Sequence, residues 1–150
     1  MTDGRLRDEI GTLLQDQRLA VLATSLDGHP YTTLVAFAAS DDLRHLFFAT
    51  TRATRKYSNL TSDSRVSLLV DSRRNETDDF RQAAAVTAIG QARPMEESGT
   101  QAEARRLYLG AFPYLREFLD SPTCVLVRVD VRRYIRVDRF QHVLELDMIP

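Results

Sequence analysis

The sequence lacks tryptophan and has one cysteine, Cys124, among its 150 residues. A single cysteine excludes a framework of disulfides within the chain. The first residues, "MTDGRLRDEIG", contain no apolar signal core, and no apolar run approaches the ~20 residues that span a bilayer. We therefore expect a cytoplasmic protein with no membrane partner.

An excess of charge of one sign is also lacking. Lys and Arg number 20 against 21 Asp and Glu, so no broad nucleic-acid-binding surface is expected and any basic site must be local. The three histidines and one cysteine show no metal-ligand spacing, and no metal is predicted. No Ser-His-Asp, Cys-His or paired-carboxylate arrangement stands out, which leaves catalytic residues unknown.

A hydrophobic content of 43% in 150 residues fits one domain, 1–150, with a substantial core. Leu6, Ile10, Leu13 and Leu14 recur at helical spacing and predict an amphipathic helix over residues 5–17. Runs rich in β-branched, aromatic or small apolar residues predict six strands. These runs are "RLAVLATS", "YTTLVAFAAS", "LRHLFFAT", "RVSLLVD", "AAAVTAIGQARP" and a half-exposed valine-rich run from Val125 that continues into "YIRVDRF".

Two further helices are predicted before the last strand, one over residues 99–110 and a short one from Pro113 to about Asp120. Mostly antiparallel strands with many apolar faces favour closure into a small barrel with flanking helices, a mainly β (α+β) fold. An open α+β sandwich is the alternative.

The segment "ATTRATRKYSNL", residues 49–60, gathers threonines and cations between two predicted strands. Thr54 is a plausible N-cap, which places Arg55 and Lys56 in the first turn of a helix. A helix start favours negative charge by roughly 0.3–1 kcal/mol, so two cations there cost stability unless an anion is present. In the alternative interpretation, both cations extend into water beside Asp63 or Asp41.

A bound phosphate would resolve this conflict. It would take backbone N–H groups of the helix start and hydroxyls from Thr50, Thr51 or Thr54. Arg55 would supply a directional pair of bonds and Lys56 a point charge.

The longer block "LFFATTRATRKYSNLTSDSRVSLLV" resembles the pattern "FYTN..SRK....I..NPRVSLLF" of the pyridoxamine 5′-phosphate oxidase-like, FMN-binding split-barrel superfamily. The resemblance is strongest over residues 18–94. It implies a six-stranded antiparallel split β-barrel that forms a homodimer with FMN at the interface. Carried over by position, Ala49 and Thr50 lie beside the flavin, Thr54 matches a serine of the family, and Arg55 and Lys56 match its phosphate ligands.

In this superfamily the backbone of the second strand runs along the isoalloxazine ring. The resemblance therefore implies ring contacts from that strand here. The corresponding residues are Thr32, Thr33, Leu34, Val35, Ala36 and Phe37.

The sequence departs from pyridoxamine-phosphate oxidase itself. Its second strand carries no cation, and the family's fifth-strand Gln falls near Ala85. The substrate pattern Tyr-Phe-x-x-Arg-Pro meets "YLGAFP", in which Tyr108 and Pro113 fit but Phe112 replaces the arginine. With the C-terminal tryptophan also absent, the chain is more similar to the uncharacterised and haem-utilisation branches.

The resemblance predicts an FMN-binding oxidoreductase that acts on a small-molecule substrate or electron donor of unknown identity. A deazaflavin (F420)-dependent reductase is one alternative, since those relatives also place basic residues in this loop. A non-enzymatic module that binds flavin or haem is another, with His142 as its candidate haem ligand.

Overall fold

A computed structural model describes residues 2–96 and 98–149. Its helices and strands follow in the order α1 (Asp3–Asp16), β1 (Leu19–Leu26), β2 (His29–Ala39), β3 (His45–Thr51), α2 (Arg55–Ser62), β4 (Arg65–Asp71), α3 (Asp79–Gln82), β5 (Ala85–Met95), α4 (Ser98–Ala111), a 3-10 turn (Pro113–Leu115), α5 (Arg116–Asp120), β6 (Cys124–Asp138) and β7 (His142–Asp147). The predicted helices and the six predicted strands are thus confirmed. None of the described helices is long and apolar enough to cross a membrane.

The strands pair antiparallel in the order β3-β2-β1-β4-β5-β6-β7, and β3 also pairs with β6. The pairing of β3 with β6 closes strands β1 to β6 into a six-stranded barrel. The predicted barrel is thus confirmed, and the alternative of an open sandwich is not what the structure shows. Helix α2 connects β3 to the next strand in the chain, β4. These two strands are not neighbours in the sheet, since β4 pairs with β1 instead.

The seventh strand was not predicted. β7 pairs only with the second half of β6, from Arg133 to Asp138, and so extends the sheet beyond the closed barrel. Its sequence "HVLELD" is short, and Val143 remains 52% exposed. On its other face, Leu146 is 3% exposed in the barrel core and Leu144 packs against that core.

The barrel interior is filled by alternate strand residues and by α1. The four apolar residues predicted to line one face of that helix, Leu6, Ile10, Leu13 and Leu14, are all buried in the barrel core. Because strand residues alternate between faces, β1 shows the same alternation of buried and partly exposed positions. The spacing of apolar residues along a helix or strand therefore determines which of its faces enters the core.

A second core lies outside the barrel, under α4 and α5. It contains Ala104, Tyr108 and Leu109 of α4, together with Leu119 of α5 and Leu126 of β6. Leu126 is 2% exposed, so the expectation of a half-exposed β6 was wrong at this position. The helices cover the outward face of the strand here, which its alternating pattern alone does not reveal.

A bulge interrupts the pairing of β5 with β6. The register shifts between Ile89 and Gly90. A Cβ atom on Gly90 would lie 2.1 Å from the carbonyl oxygen of Asp130. Only glycine permits this close approach of the two backbones.

Candidate functional site

The candidate site begins where β3 ends and α2 starts. Thr54 is the N-cap of α2, as predicted, and its Oγ1 accepts a hydrogen bond from the backbone N–H of Tyr57 at 3.3 Å. The first turn of the helix contains Arg55 and Lys56 and no acidic residue. The helix start is therefore positively charged by both its dipole and its side chains.

The threonines of this segment form a local hydrogen-bond network. The hydroxyls of Thr50 and Thr54 lie 2.8 Å apart, and each lies 3.1 Å from the carbonyl oxygen of Thr51. Thr50 is 2% exposed, so its hydroxyl contacts that of Thr54 from the buried side. Thr54 itself lines the surface cleft beside the helix.

The two cations of the first turn have no acidic partner among residues 2–96 and 98–149. Arg55 is exposed, and its guanidinium carbon lies 5.4 Å from the centre of the Tyr31 ring. Neighbouring Arg52 is different, since it bonds to the Pro122 carbonyl at 3.0 Å and to Glu96 at 3.4 Å. Arg52 is thus satisfied by the protein, whereas Arg55 and Lys56 remain available to an anion.

The alternative of pairing with Asp63 or Asp41 is not what the structure shows. Asp63 forms two hydrogen bonds with the side chain of Arg65, at 2.8 and 3.0 Å. These bonds lower the pKa of Asp63 to about 2. Asp41 forms no ion pair with a described residue.

Strand β2, whose Tyr31 lies beside Arg55, has an exposed edge further along its length. β2 pairs with β3 only at Phe37, Ala38 and Ala39, although it pairs with β1 along most of its length. The backbone N–H of Phe37 donates to the carbonyl oxygen of Arg18, which directly precedes β1, at 3.1 Å. Because hydrogen-bonding direction alternates along an antiparallel strand, residues 32, 34 and 36 direct their backbone groups away from β1. Within the described chain, no strand pairs with that edge.

The predicted ring-contacting residues therefore divide into two groups. Thr32, Leu34 and Ala36 face outward and have their backbone groups on the unpaired edge. Thr33, Val35 and Phe37 direct their backbone groups toward β1, and the last two are buried in the barrel core. The structure places the first group on the unpaired edge and the second group behind it.

Tyr108 marks the end of the unpaired edge. Its hydroxyl donates to the carbonyl oxygen of Ala36 at 3.1 Å, one residue before the pairing of β2 with β3 begins. Burial raises the pKa of Tyr108 to about 12, against a smaller opposing contribution from the backbone of Ala49. The neutral hydroxyl thus bonds to β2 at the point where β2 and β3 diverge.

A cleft of about 660 Å³ opens beside Arg55, between α2 and the β1–β2 hairpin. It is lined by Leu26, Asp27, His29, Pro30, Tyr31, Ala53, Thr54, Arg55, Ser58 and Asn59. Sequence reasoning missed Asp27, Tyr31 and Asn59 as site residues. No local pattern identifies them, because only the pairing of β1 with β2 brings the hairpin to the helix start.

The other candidate groups lie in separate contacts. His45 bonds to Asp130 at 3.0 Å and His142 to Asp138 at 2.6 Å. Burial raises the pKa of the Cys124 thiol, which opposes reactivity. The described residues contain no group of three His, Cys, Asp or Glu side chains arranged to hold a metal.

Comparison with known proteins gives one matching family and several solved structures of similar fold. The sequence profile of the family described as pyridoxamine 5′-phosphate oxidase matches residues 6–136. No curated protein matches the sequence significantly.

Similar solved structures include a heme-binding protein from Mycobacterium smegmatis, with a TM-score of 0.83 and 21% identity. The match covers 94% of this chain but only 57% of that one. A FAD-binding protein from Mesorhizobium loti has a TM-score of 0.69 and 22% identity, over 85% of this chain and 89% of the other. General stress protein 26 from Bacillus anthracis has a TM-score of 0.70 and 22% identity, over 95% and 99% of the two chains. At these identities the likeness establishes the fold.

Proposed function

The chain belongs to the pyridoxamine 5′-phosphate oxidase family, and on that premise we propose that it is an FMN-binding oxidoreductase. The observation that carries this proposal is the pair of cations at the start of α2, which have no acidic partner among the described residues. Strand β2, whose Tyr31 lies 5.4 Å from the guanidinium carbon of Arg55, has an unpaired edge further along. Cations at a helix start are unfavourable alone and favourable once a phosphate is bound.

The phosphate would be held by the side chains of Arg55 and Lys56 and by the first backbone N–H groups of α2. Arg55 offers parallel N–H donors that match two phosphate oxygens, while Lys56 adds a point charge. The hydroxyls of Thr51 and Thr54 would form further hydrogen bonds with the phosphate at the helix start. Thr50 supports Thr54 from the buried side, through the 2.8 Å contact between their hydroxyls.

The isoalloxazine ring would lie along the unpaired edge of β2. The backbone N–H and C=O groups of Thr32 and Leu34 are directed to that edge and match the polar atoms of a flavin ring. Ala36 and Ala49 offer small side chains at the place where β2 and β3 diverge, which leaves room for a flat ring.

We also propose a homodimer with the cofactor at its interface. Val21 of β1 lies opposite Leu34 of β2 and Leu69 of β4, so the three side chains form an apolar row on the outward face of the barrel. Leu34 is 59% exposed and Leu69 is 36% exposed. A second copy related by a twofold axis would cover this row and, through Leu34, close over the ring site.

When bound, a flavin supplies the electron-transfer chemistry, and the protein then provides binding, orientation and exclusion of water. The substrate or electron donor is expected to be a small molecule. It is not expected to be a pyridoxamine phosphate, because Phe112, which stands at the position of the phosphate-binding arginine, is 2% exposed and packed in the second core.

The test is a titration of the purified protein with FMN, followed at the flavin band near ~450 nm, with F420 and haemin as competing candidates. We expect FMN to bind, and Arg55→Ala with Lys56→Ala to weaken binding by several kcal/mol, since charge-assisted bonds contribute about 1.5–3 kcal/mol each. Arg52→Ala is the matched control, because Arg52 is bonded within the protein. Unchanged FMN affinity in the double variant, or binding of F420 or haem alone, would contradict the proposal.

A further inference from the structure

We propose that a separate cleft, on the outward face of β1, β4 and β5, binds the carboxylate of a small organic acid. Its volume is about 340 Å³, at the lower end of the ordinary range for small-molecule sites. Neither Arg55 nor Lys56 lines this cleft, so it shares no cation with the start of α2. The inference therefore goes beyond the proposed flavin site and does not depend on it.

The β-bulge between β5 and β6 brings a cation to the cleft. Gly90 pairs with Val131 and Ile89 pairs with Arg133, so Arg132 is the extra residue and has no partner on β5. Because of this extra residue, two consecutive arginines, 132 and 133, are both exposed. Bulges redirect side chains in this way and occur often beside functional sites.

The two exposed arginines have different surroundings. Arg133 bonds to Asp147 of β7 at 2.6 Å and lies 3.8 Å from Glu145. Arg132 lines the cleft and forms no ion pair with a residue that the structure describes. A guanidinium group offers parallel N–H donors that match the two oxygens of a carboxylate. The bulge therefore places at the cleft a cation that remains available to a ligand.

The other polar groups of the cleft also provide hydrogen-bond donors. Arg65 uses Nε and one Nη for Asp63, at 3.0 and 2.8 Å, and these bonds leave about three of its five N–H groups unused. The side-chain oxygen of Gln91 accepts from Arg93 at 3.1 Å, which leaves the amide NH₂ group of Gln91 for a ligand. Two serine hydroxyls line the same cleft, those of Ser25 and Ser67.

The charge of the cleft indicates the class of ligand. No carboxylate is among the described residues that line it. The ion pair of Arg65 with Asp63 is neutral as a unit, so Arg132 contributes one net positive charge. One positive charge matches a carboxylate better than a phosphate dianion. The apolar part of the ligand would contact the hydrophobic residues of the cleft, which are Ala23, Pro30 and Ile89.

The experiment uses benzoate as the probe and benzamide, an uncharged molecule of nearly the same shape, as its control. Binding is followed by the chemical shifts of the backbone amides in the isotope-labelled protein. We expect benzoate to shift the amides of Ser67 and Gln91, and benzamide to bind at least about tenfold more weakly. Arg132→Gln should weaken benzoate binding about tenfold, which corresponds to the loss of one charge-assisted hydrogen bond.

Arg133→Gln is the matched variant, because it removes the same charge from the neighbouring residue, which bonds to Asp147 instead. Benzoate affinity should be unchanged in this variant and in Arg55→Ala with Lys56→Ala. Circular dichroism of each variant verifies that it has folded.

Several outcomes would overturn the carboxylate site. These are equal affinity for benzamide and benzoate, no effect of Arg132→Gln, or the same effect of Arg133→Gln. Loss of benzoate binding in the double variant of Arg55 and Lys56 would show that the probe occupies the start of α2, and would overturn the site as well. None of these results bears on FMN binding, so the flavin proposal is tested separately.

Discussion

The hydroxyl of Tyr108 donates a hydrogen bond to the carbonyl oxygen of Ala36, 72 residues earlier in the chain. Ala36 is the last residue of β2 before pairing with β3 begins at Phe37. A side chain from α4 therefore takes the position that a backbone donor of β3 would occupy if the strands stayed paired. The bond fixes where the barrel splits, and so where the edge available to a ligand ends.

Tyr108→Phe should destabilise the protein and weaken FMN binding. The substitution leaves the Ala36 carbonyl without this donor, at a cost of about 1–3 kcal/mol when the group stays buried. Chemical denaturation measures the loss of stability, and fluorescence titration measures the loss of affinity.

Tyr134→Phe is the matched control for this prediction. Tyr134 is also fully buried, and its hydroxyl donates to the Leu43 carbonyl at 2.7 Å, away from the flavin site. We expect a similar loss of stability with unchanged FMN affinity. Equal effects of both variants on FMN binding would show that Tyr108 contributes only to stability.

The stability of the protein should fall between about pH 10 and 12 in part because of Tyr108. Burial raises the pKa of its hydroxyl in the folded state from 10.0 to about 12. The stabilisation is therefore fully present below pH 10 and is lost as the pH rises through the folded-state value. Denaturation curves across this range should show a smaller decrease for Tyr108→Phe than for the unmodified protein, and an equal decrease would refute the assignment.

Lys56→Gln should stabilise the protein when no ligand is bound. Lysine and glutamine have similar helix propensity, so the substitution mainly removes a positive charge from the start of α2. We expect a gain of about 0.3–1 kcal/mol at low ionic strength, which disappears in concentrated salt, together with weaker FMN binding. Thermal denaturation with and without FMN measures both effects. A loss of stability in the ligand-free protein would show that Lys56 already has a favourable partner.

Leu69→Arg should convert the proposed homodimer to a monomer. Leu69 lies in the apolar row beside Val21 and Leu34, and a charge there would be buried in the interface. Sedimentation equilibrium measures the mass. Val143→Arg places the same charge on β7, where the side chain is 52% exposed, and should leave the mass unchanged. A monomeric unmodified protein would contradict the proposal.

Gly90→Ala should destabilise the fold severely, by about 4 kcal/mol or more, because backbone must move to admit a Cβ atom. The obstructing atom is the Asp130 carbonyl oxygen, at 2.1 Å. Gly110→Ala is the control in α4, where nothing lies within 4 Å of the added atom, and it should stabilise the helix by about 0.5–1 kcal/mol. Chemical denaturation of the two variants compares them directly, and similar midpoints would contradict the prediction.

Much of the fold follows from local patterns. Runs rich in β-branched, aromatic or small apolar residues identified six strands, and helical spacing identified the residues of α1 that enter the core. The apolar alternation in "HVLELD" is limited to Leu144 and Leu146, which is too short to predict β7. Leu126 was assigned to the wrong environment because the alternation within β6 does not show that α4 and α5 pack over its outward face.

By itself the sequence determined the start of α2, with Thr54 as its cap and Arg55 and Lys56 in its first turn, because capping and charge at a helix start depend on neighbouring residues. The tertiary structure decided the rest of the site. Only the register of the strands leaves one edge of β2 unpaired, and only closure of the barrel brings Tyr108 to Ala36 and the β1–β2 hairpin to Arg55. Contacts between distant residues depend on how every strand between them is paired, and no local pattern contains that information.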